Sequence, residues 1–167
     1  DVYKRQAIAA ARLLFLERLQ KACDQNQNSV FPRAFLLFKG LIEEYLQDRP
    51  AIEVEELFLN ALEKSRELDA VSGGASLGPH RTDLQVFYAD KKMVANQCST
   101  GEQKALLIGL ILAHAQLLLA DQGRPPILLL DEIAAHLDKD RRGALFKILE
   151  EMGSQVWMTG TDSKDFE

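Results

Sequence analysis

Two short motifs, separated by about one helix, carry the residue types best suited to chemistry. The first is the run Cys98-Ser99-Thr100-Gly101-Glu102-Gln103-Lys104, a small polar turn at the start of a helix. The second is Ile127-Leu128-Leu129-Leu130-Asp131-Glu132, an aliphatic strand that ends in two carboxylates. The first motif could bind an anion, and the second could bind a metal ion and activate water.

The first motif has two interpretations. Ser99 or Thr100 can cap a helix that begins near Gly101, because Glu102 and Gln103 each lie three residues beyond one of them. In the simpler interpretation these residues only cap a core helix. In the functional interpretation the glycine also lets a phosphate approach the backbone, whose free N–H groups point at the anion. The spacing alone leaves both open.

The second motif predicts a ligand site at a strand end. Four consecutive aliphatic residues follow Pro125-Pro126, which predicts a strand buried on both faces. Open α/β sheets bind their ligands at the carboxyl ends of strands. Asp131 would hold Mg²⁺ through water, and Glu132 would orient and deprotonate an attacking water. The alternative is an acidic helix start after a core strand, which the presence of the first motif disfavours.

The sequence has no phosphate-cradling loop, because no G-x-x-x-x-G-K-[ST] motif occurs in it. The glycine-rich stretch 72–79 lacks Lys and Ser/Thr at the required spacing, so we predict a plain turn there. The first residue is Asp1 and not Met. We therefore expect that an N-terminal part with the phosphate loop is absent from this sequence.

Composition restricts the class of protein. A chain of 167 residues that is 47% hydrophobic can form one domain, or one lobe and part of another. The net charge of −5 means that any contact with DNA must come from local basic patches. Cys23 and Cys98 are far apart, which disfavours zinc and disulfides and suits a reducing cytosol. The apolar run 105–120 is too short for a membrane span and predicts a buried helix.

The hydrophobic pattern predicts an α-helical lobe at 1–70, followed by part of an α/β lobe at 71–167. In the first lobe we expect antiparallel helices at 4–22, 33–48 and 51–68. In the second lobe the expected elements are strands at 84–89 and 93–95, a helix at 102–120, a strand at 127–130, a helix at 139–152 and a strand at 155–159. This alternation indicates an α/β fold with a parallel sheet.

Four segments together resemble the RecF family. They are Gly78-Pro79-His80-Arg81-Thr82-Asp83-Leu84, the first motif continued through Leu107, Leu129-Leu130-Asp131-Glu132 with His136-Leu137-Asp138, and Trp157-Met158-Thr159-Gly160-Thr161. The first two in this order are more specific than either alone. The resemblance covers nearly the whole chain and roughly the C-terminal half of a family member. It implies a partial P-loop ATPase lobe, similar to the heads of ABC and SMC-type ATPases without the long coiled coil.

The resemblance assigns roles to individual residues. The first motif becomes the ABC signature, the second becomes Walker B, and His136-Leu137-Asp138 becomes the D-loop that crosses a dimer interface. Glu132 would be catalytic and Asp131 would bind Mg²⁺ within its own subunit's site. The implied ATP-binding residues are Ser99, Thr100, Gly101, Glu102, Gln103, Lys104, His136 and Asp138, with Ser99 and Gly101 contacting the γ-phosphate held by the other subunit.

The resemblance also implies a function. Such proteins form homodimers on ATP, hydrolyse it slowly, and bind DNA at gaps and single-strand/double-strand junctions. They cooperate with RecR and RecO during RecA loading in DNA replication and repair. We therefore expect a bacterial cytoplasmic, nucleoid-associated protein that needs ATP and Mg²⁺ and has no membrane partner. Without its phosphate loop, this chain alone should lack appreciable ATP affinity.

Some positions depart from the pattern of cassette ATPases. Thr100 stands where transporters usually have Gly, which fits the RecF pattern. Gly160 stands where many of these ATPases have the His that senses the γ-phosphate, so Thr159 or Thr161 is a candidate substitute.

His80 and Arg81 are family markers for which DNA or phosphate contact and a structural turn are equally open. Two other functions also remain open. One is another SMC-like or RecN-like ATPase head, which the lack of sustained heptads disfavours. The other is a non-catalytic module that binds DNA or a protein partner.

Overall fold

The computed structural model describes residues 2–25, 30–133 and 137–160. Its helices and strands are, in chain order, α1 Val2–Gln25, β1 Ala34–Lys39, α2 Leu41–Asp48, α3 Ala51–Ser72, β2 Asp83–Tyr88, β3 Met93–Val94, α4 Thr100–Gln122, β4 Leu128–Leu130, α5 Lys139–Met152 and β5 Val156–Met158. The chain divides into two compact units, Asp1–Glu17 with Leu36–Gln85, and Arg18–Phe35 with Val86–Glu167. The predicted lobe boundary between residues 70 and 71 is not one of these divisions and stays a prediction.

The first unit has a small core built by its three helices. Ile42 of α2 and Val54 and Phe58 of α3 are at most 2% exposed, and Ala9 of α1 is fully buried against them. α3 ends at Ser72 and is capped by Gly73, whose φ of 72° is left-handed and whose N–H donates to the carbonyl of Asp69. This is a common helix C-cap, and it begins the glycine-rich turn that the sequence predicts.

The predicted helix at 33–48 is wrong in its first half. The structure has strand β1 there, and helix α2 follows it. Ala34 and Leu36 are buried while Phe35 between them is 50% exposed, which is the period of a strand. The five apolar residues 34–38 fit the period of a helix or of a strand, and a preceding Pro32 is compatible with the start of either. The helical lobe therefore contains a strand between its first two helices.

β1, β2 and β3 form a three-stranded sheet in that order. β2 and β3 are an antiparallel hairpin in which Phe87 pairs with Val94 and Tyr88 pairs with Met93. The predicted strand, turn and return strand at this place are therefore confirmed. The rings of Phe35 in β1 and Phe87 in β2 lie with their centroids 5.9 Å apart.

The second unit places a parallel strand pair against two helices. β4 and β5 are parallel, with Leu128 opposite Val156 and Leu130 opposite Met158, and α5 connects them along the chain. This confirms the predicted α/β fold with a parallel sheet. The buried residues of the core are Phe31, Ala105, Ile108, Leu112, Ala115, Leu128, Leu130, Leu137, Leu145, Leu149 and Met152.

One face of the β4–β5 sheet is exposed. Leu128 and Leu130 lie in the core, but Leu129 is 78% exposed and Trp157 is 64% exposed. The prediction that the Walker B strand is buried on both faces is therefore wrong for this chain. The alternation of buried and exposed residues shows that only one side of the two-stranded sheet packs against helices.

α4 is long and apolar enough to meet the length and composition criteria for a membrane span. Its side chains Ala105, Ile108 and Leu112 nevertheless belong to the core of the second unit. Core helices of soluble proteins meet the same criteria. The helix therefore acts as the predicted core helix, and it also carries the exposed Leu107 on another face.

Candidate functional site

Ser99 and Glu102 form a reciprocal cap at the start of α4. The backbone N–H of Ser99 donates to Oε2 of Glu102 at 2.9 Å, and the Ser99 hydroxyl accepts from the backbone N–H of Glu102 at 3.4 Å. The hydroxyl also lies 2.8 Å from Oε2, to which it can donate. The capping box is therefore confirmed, with Ser99 and not Thr100 as the N-cap residue.

Lys91 contacts the same carboxylate from the turn between β2 and β3. Its ammonium forms an ion pair with Glu102 and lies 5.3 Å from the ring centroid of Tyr88. The hydrogen bond from Lys91, followed by those from Ser99, lowers the pKa of Glu102 to about 2. The same contact raises the pKa of Lys91. Glu102 is therefore an anion throughout the neutral range, and the cap that holds Ser99 is ionic.

The rest of the first turn of α4 leaves the helix end accessible. A Cβ placed on Gly101 would meet nothing within 4 Å, and Thr100 and Gly101 are exposed. The side-chain amide of Gln103 donates to the carbonyl of Cys98 at 3.0 Å, while Lys104 is half-buried. The first N–H groups of a helix have no acceptor inside it, and they lie at the positive end of its dipole. A phosphate from another molecule could therefore approach this surface.

Asp131 and Glu132 lie at the carboxyl end of β4, beside Thr159 at the same end of β5. The backbone N–H of Thr159 donates to the carbonyl of Leu130 at 3.1 Å and extends the parallel ladder. The Thr159 hydroxyl donates to Oδ1 of Asp131 and accepts from the backbone N–H of Glu132 at 3.0 Å. We call Asp131, Glu132 and Thr159 the strand-end cluster. It occupies the sheet edge at which α/β folds bind ligands.

The backbone of Glu132 is strained. Its φ is +50°, which lies in the left-handed region. Among the described residues, Lys92 is the only other non-glycine residue with a positive φ. This conformation costs an L-residue about 1–2 kcal/mol. Strained residues of this kind cluster at active sites and ligand clamps, where the surrounding structure holds them in place. Here the bond from the Glu132 N–H to Thr159 is one such contact.

The strand-end cluster fits a Mg²⁺ ion that is shared with a nucleotide. It offers two exposed carboxylates and a hydroxyl, and oxygen is the ligand atom that Mg²⁺ prefers. Within residues 2–25, 30–133 and 137–160, no three His, Cys, Asp or Glu side chains form a group that could hold a metal. Mg²⁺ usually keeps several waters and binds one or two carboxylates together with substrate phosphates. The oxygen atoms of the cluster therefore suit a Mg²⁺ ion that is also bound by phosphates, and not one that is bound by protein ligands alone.

Asp138 caps the next helix. Its carboxylate accepts from the backbone N–H of Arg141 at 2.8 Å and lies 3.7 Å from Nε of the same arginine. The preceding Leu137 is buried in the core of the second unit. The other predicted D-loop residue, His136, lies outside the described residues, as does Thr161. The role of Asp138 at a dimer interface stays a prediction.

His80 and Arg81 lie in a single-turn 3₁₀ helix of the first unit that begins at Pro79. Nε2 of His80 lies 2.9 Å from the carbonyl of Ala75, and the guanidinium of Arg12 donates to the carbonyl of Pro79 at 2.7 Å. Both His80 and Arg81 are exposed. The turn is thus held by internal contacts while both side chains reach solvent, and a DNA or phosphate contact stays a prediction.

A buried carboxylate that the sequence does not single out contacts this region of the first unit. Glu43 of α2 is fully buried and accepts from Arg12 at 3.3 Å and from the Thr82 hydroxyl at 3.0 Å. A Cβ on Gly40 would lie 2.4 Å from Oε2 of Glu43, so the close approach requires glycine. An acidic residue in the first turn of a helix is common on exposed surfaces. Local sequence therefore carries no signal that this one is buried.

The parallel β4–α5–β5 arrangement, with two acids at its strand end, defines the class of fold as α/β with a parallel sheet. No protein-family model matches the chain. Two solved structures of the recombination mediator protein RecF in the RecFOR pathway share its fold. The RecF-ATPrS structure has a TM-score of 0.74 and 22% identity over 99% of this chain and 44% of its own. The RecF-ATP structure has a TM-score of 0.73 and 21% identity over 95% and 43%.

Sequence similarity is much higher to DNA replication and repair proteins named RecF. The chain is 49% identical over 161 residues to the protein of Mesorhizobium japonicum and 47% identical over 161 residues to that of Rhizobium rhizogenes. Each match covers 96% of this chain. The chain is also 51% identical over 139 residues to the protein of Agrobacterium fabrum. The chain belongs to the RecF family, and it spans 42%, 43% and 37% of these three relatives.

Proposed function

We propose that this chain forms the signature, Walker B and D-loop part of a RecF-type ATPase that acts in DNA replication and repair. The observation that carries the proposal lies in the second unit. There the exposed, ionically capped start of α4 and the strand-end cluster occur on one α/β scaffold. The names of the relatives supply the biological role, and the RecF-ATP neighbour supports ATP as the nucleotide.

In this proposal the two acids serve the nucleotide of their own subunit. Asp131 would hold Mg²⁺ through water, and Glu132 would orient the attacking water and accept its proton. Phosphoryl transfer depends mainly on positioning and on stabilisation of charge, which fixed carboxylates at a rigid strand end can provide. A phosphate loop has to come from outside these 167 residues, because they contain no such motif.

The signature residues serve the nucleotide of a second subunit. The exposure of Thr100 and Gly101 and the empty space above Gly101 support this role, because a phosphate can reach the helix start. Residues 99–104 would thus bind ATP across a homodimer interface. His136 and Asp138 would communicate between the two sites as the D-loop.

DNA and the recombination mediators RecR and RecO are the proposed macromolecular partners, with RecA loading downstream in the bacterial cytoplasm. The expected DNA has a gap or a single-strand/double-strand junction. The RecFOR pathway named for the structural neighbours supports this assignment. With a net charge of −5, the chain must bind DNA through local basic surfaces, and the exposed turn with His80 and Arg81 is one candidate.

The test uses a RecF chimera, in which this chain replaces the matching segment of the full-length Mesorhizobium japonicum protein. We expect the chimera to hydrolyse ATP faster when DNA is present. Glu132→Gln should lower turnover by at least about 100-fold, the usual effect of losing a general base, while ATP binding persists. Ser99→Arg should abolish turnover by blocking the signature surface.

The matched control is Glu150→Gln, which removes the same charge from an exposed position on α5 and should not change turnover. Unchanged turnover in both Glu132→Gln and Ser99→Arg would contradict the site assignment. A chimera that binds DNA but never hydrolyses ATP would favour the non-catalytic alternative. A heptad-rich coiled coil encoded next to this segment would favour an SMC-like or RecN-like head.

A further inference from the structure

Thr159 contacts both acids of the strand-end cluster through one hydroxyl group. It donates to Oδ1 of Asp131 and accepts from the backbone N–H of Glu132. We propose that Thr159 is a positioning residue, which orients the carboxylate of Asp131 and fixes the peptide that carries the side chain of Glu132. The proposal rests on the ATPase function proposed above and assigns a role within that site.

The hydrogen-bond geometry argues against a direct contact between Thr159 and the γ-phosphate. A threonine hydroxyl has a single proton to donate. That proton points to Asp131, and the oxygen of the hydroxyl receives the N–H of Glu132. A γ-phosphate has only acceptor oxygens and would have to take the proton away from Asp131. Thr159 therefore acts on the nucleotide through the two acids.

The bond to Asp131 selects which oxygen faces a ligand. Asp131 is exposed, so without a partner its carboxylate would rotate freely in solvent. With Oδ1 held by Thr159, Oδ2 would remain available to a hydrated Mg²⁺ ion. The rotational entropy of the side chain is thus lost before the metal binds.

The bond to Glu132 fixes the peptide on which the catalytic side chain stands. Glu132 is in the left-handed conformation, and its N–H is bound to the Thr159 hydroxyl. Thr159 is itself well anchored, because its own N–H bonds to the carbonyl of Leu130 and its β-branched side chain has restricted rotamers. One anchored residue at the end of β5 therefore holds the carboxylate of Asp131 and the backbone of Glu132.

The experiment compares Thr159→Val and Thr159→Ser in the RecF chimera. Valine keeps the shape and removes the donor and the acceptor, whereas serine keeps both. We expect Thr159→Val to lower kcat at least 10-fold and to raise several-fold the Mg²⁺ concentration needed for half-maximal ATP binding. The KM for ATP at saturating Mg²⁺ should stay within about twofold, because ground-state phosphate contacts are unchanged. Thr159→Ser should restore both quantities to within a few-fold of the unsubstituted chimera.

A merely structural role predicts a different result. In that case Thr159→Val would lower the thermal midpoint without changing the Mg²⁺ dependence of ATP binding, and this would overturn the proposal. If Thr159 contacted the γ-phosphate directly, Thr159→Val would weaken ATP binding at saturating Mg²⁺ and leave ADP binding unchanged. That result would also overturn the proposal. An unsubstituted chimera that neither binds nor hydrolyses ATP would refute the proposed function itself. An active chimera that is indifferent to Thr159→Val would refute only the positioning role.

Discussion

Lys91 and Glu102 form an ion pair that joins the turn of the β2–β3 hairpin to the first turn of α4. Glu102 is also the partner of Ser99 in the capping box, so the hairpin helps to hold the proposed signature serine in place. A residue outside the proposed signature motif therefore contacts the carboxylate that caps its helix. This relationship has a direct consequence for the response of the helix cap to acid.

The first prediction concerns acid titration of the cap. The pKa of Glu102 is lowered from 4.5 to about 2, so the stabilisation is complete above pH 4.5 and is lost as the pH falls towards 2. Carboxyl chemical shifts of Glu102 in an NMR titration should report that low midpoint. Lys91→Ala should move the midpoint upwards, because the ammonium of Lys91 is the largest cause of the shift.

Lys92→Ala is the control, since it removes a neighbouring exposed ammonium that does not contact Glu102 in the structure. It should leave the midpoint of Glu102 in place. A midpoint near 4.5 in the unsubstituted protein would show that the ion pair is absent in solution.

Local sequence signals predicted the parts of the fold that depend on neighbouring residues. The capping box is a three-residue spacing, the β2–β3 hairpin follows from alternation around Asp90-Lys91, and the parallel β4–β5 pair follows from strand and helix order. The pairing of Lys91 with Glu102 bridges two elements, and no local pattern encodes it. The structure has β1 where the sequence predicts a helix, because the five apolar residues 34–38 suit a helix or a strand until a neighbouring strand is known.

The strand-end cluster shows the same limit. Asp131 and Glu132 are recognisable from the aliphatic run before them, whereas the sequence singles out Thr159 only as a candidate substitute for a histidine. Its bonds to both acids depend on the register of β4 and β5, in which Leu130 pairs with Met158. A shift of one residue would turn the Thr159 side chain to the other face of the sheet. Single-sequence patterns do not determine that register.

The second prediction concerns the buried carboxylate of Glu43. Arg12→Ala should destabilise the protein by about 3 kcal/mol, because it leaves a buried charge without its cation. Arg12→Ala combined with Glu43→Leu should be less destabilising than Arg12→Ala alone, since the uncompensated charge is then gone. The measurement is urea unfolding of the RecF chimera followed by circular dichroism.

Arg49→Ala is the matched control. Arg49 pairs with Glu53 four residues along the chain, and both side chains are nearly half exposed. Exposed pairs of this kind contribute about 0.2–1 kcal/mol. Equal effects of Arg12→Ala and Arg49→Ala would mean that Glu43 is hydrated in solution.

The third prediction concerns the exposed face of the β4–β5 sheet. Leu129 and Trp157 present large apolar side chains there, at 78% and 64% exposure. Such a face on a two-stranded sheet with open edges favours association, so we expect the 167-residue chain to self-associate. Leu129→Lys should shift the population towards monomer, as measured by sedimentation velocity.

Leu68→Lys provides the comparison, because Leu68 is 71% exposed but lies on α3 in the other unit. It should change the association much less. The fluorescence of Trp157, the single tryptophan, should shift to longer wavelength when Leu129→Lys separates the chains. A chain that stays monomeric at every concentration would contradict self-association through the exposed face of the β4–β5 sheet.

The fourth prediction concerns the reactivity of Cys23. Burial, and then the charge of Asp24, raise the pKa of this thiol from 9.0 to about 11. At pH 8 about one molecule in a thousand then carries the reactive thiolate. In a Cys98→Ser variant, which leaves Cys23 as the only thiol, alkylation by iodoacetamide should be slow and should rise about tenfold per pH unit.

The same variant unfolded in urea is the reference, because its thiol should titrate near 9.0 and react faster at every pH below the folded value. Asp24→Asn should lower the folded pKa without exposing the thiol, since it removes the second cause of the shift and leaves the first. If the folded and unfolded chains react at equal rates at pH 8, Cys23 is accessible and ionises normally, and its placement in the buried part of α1 is wrong.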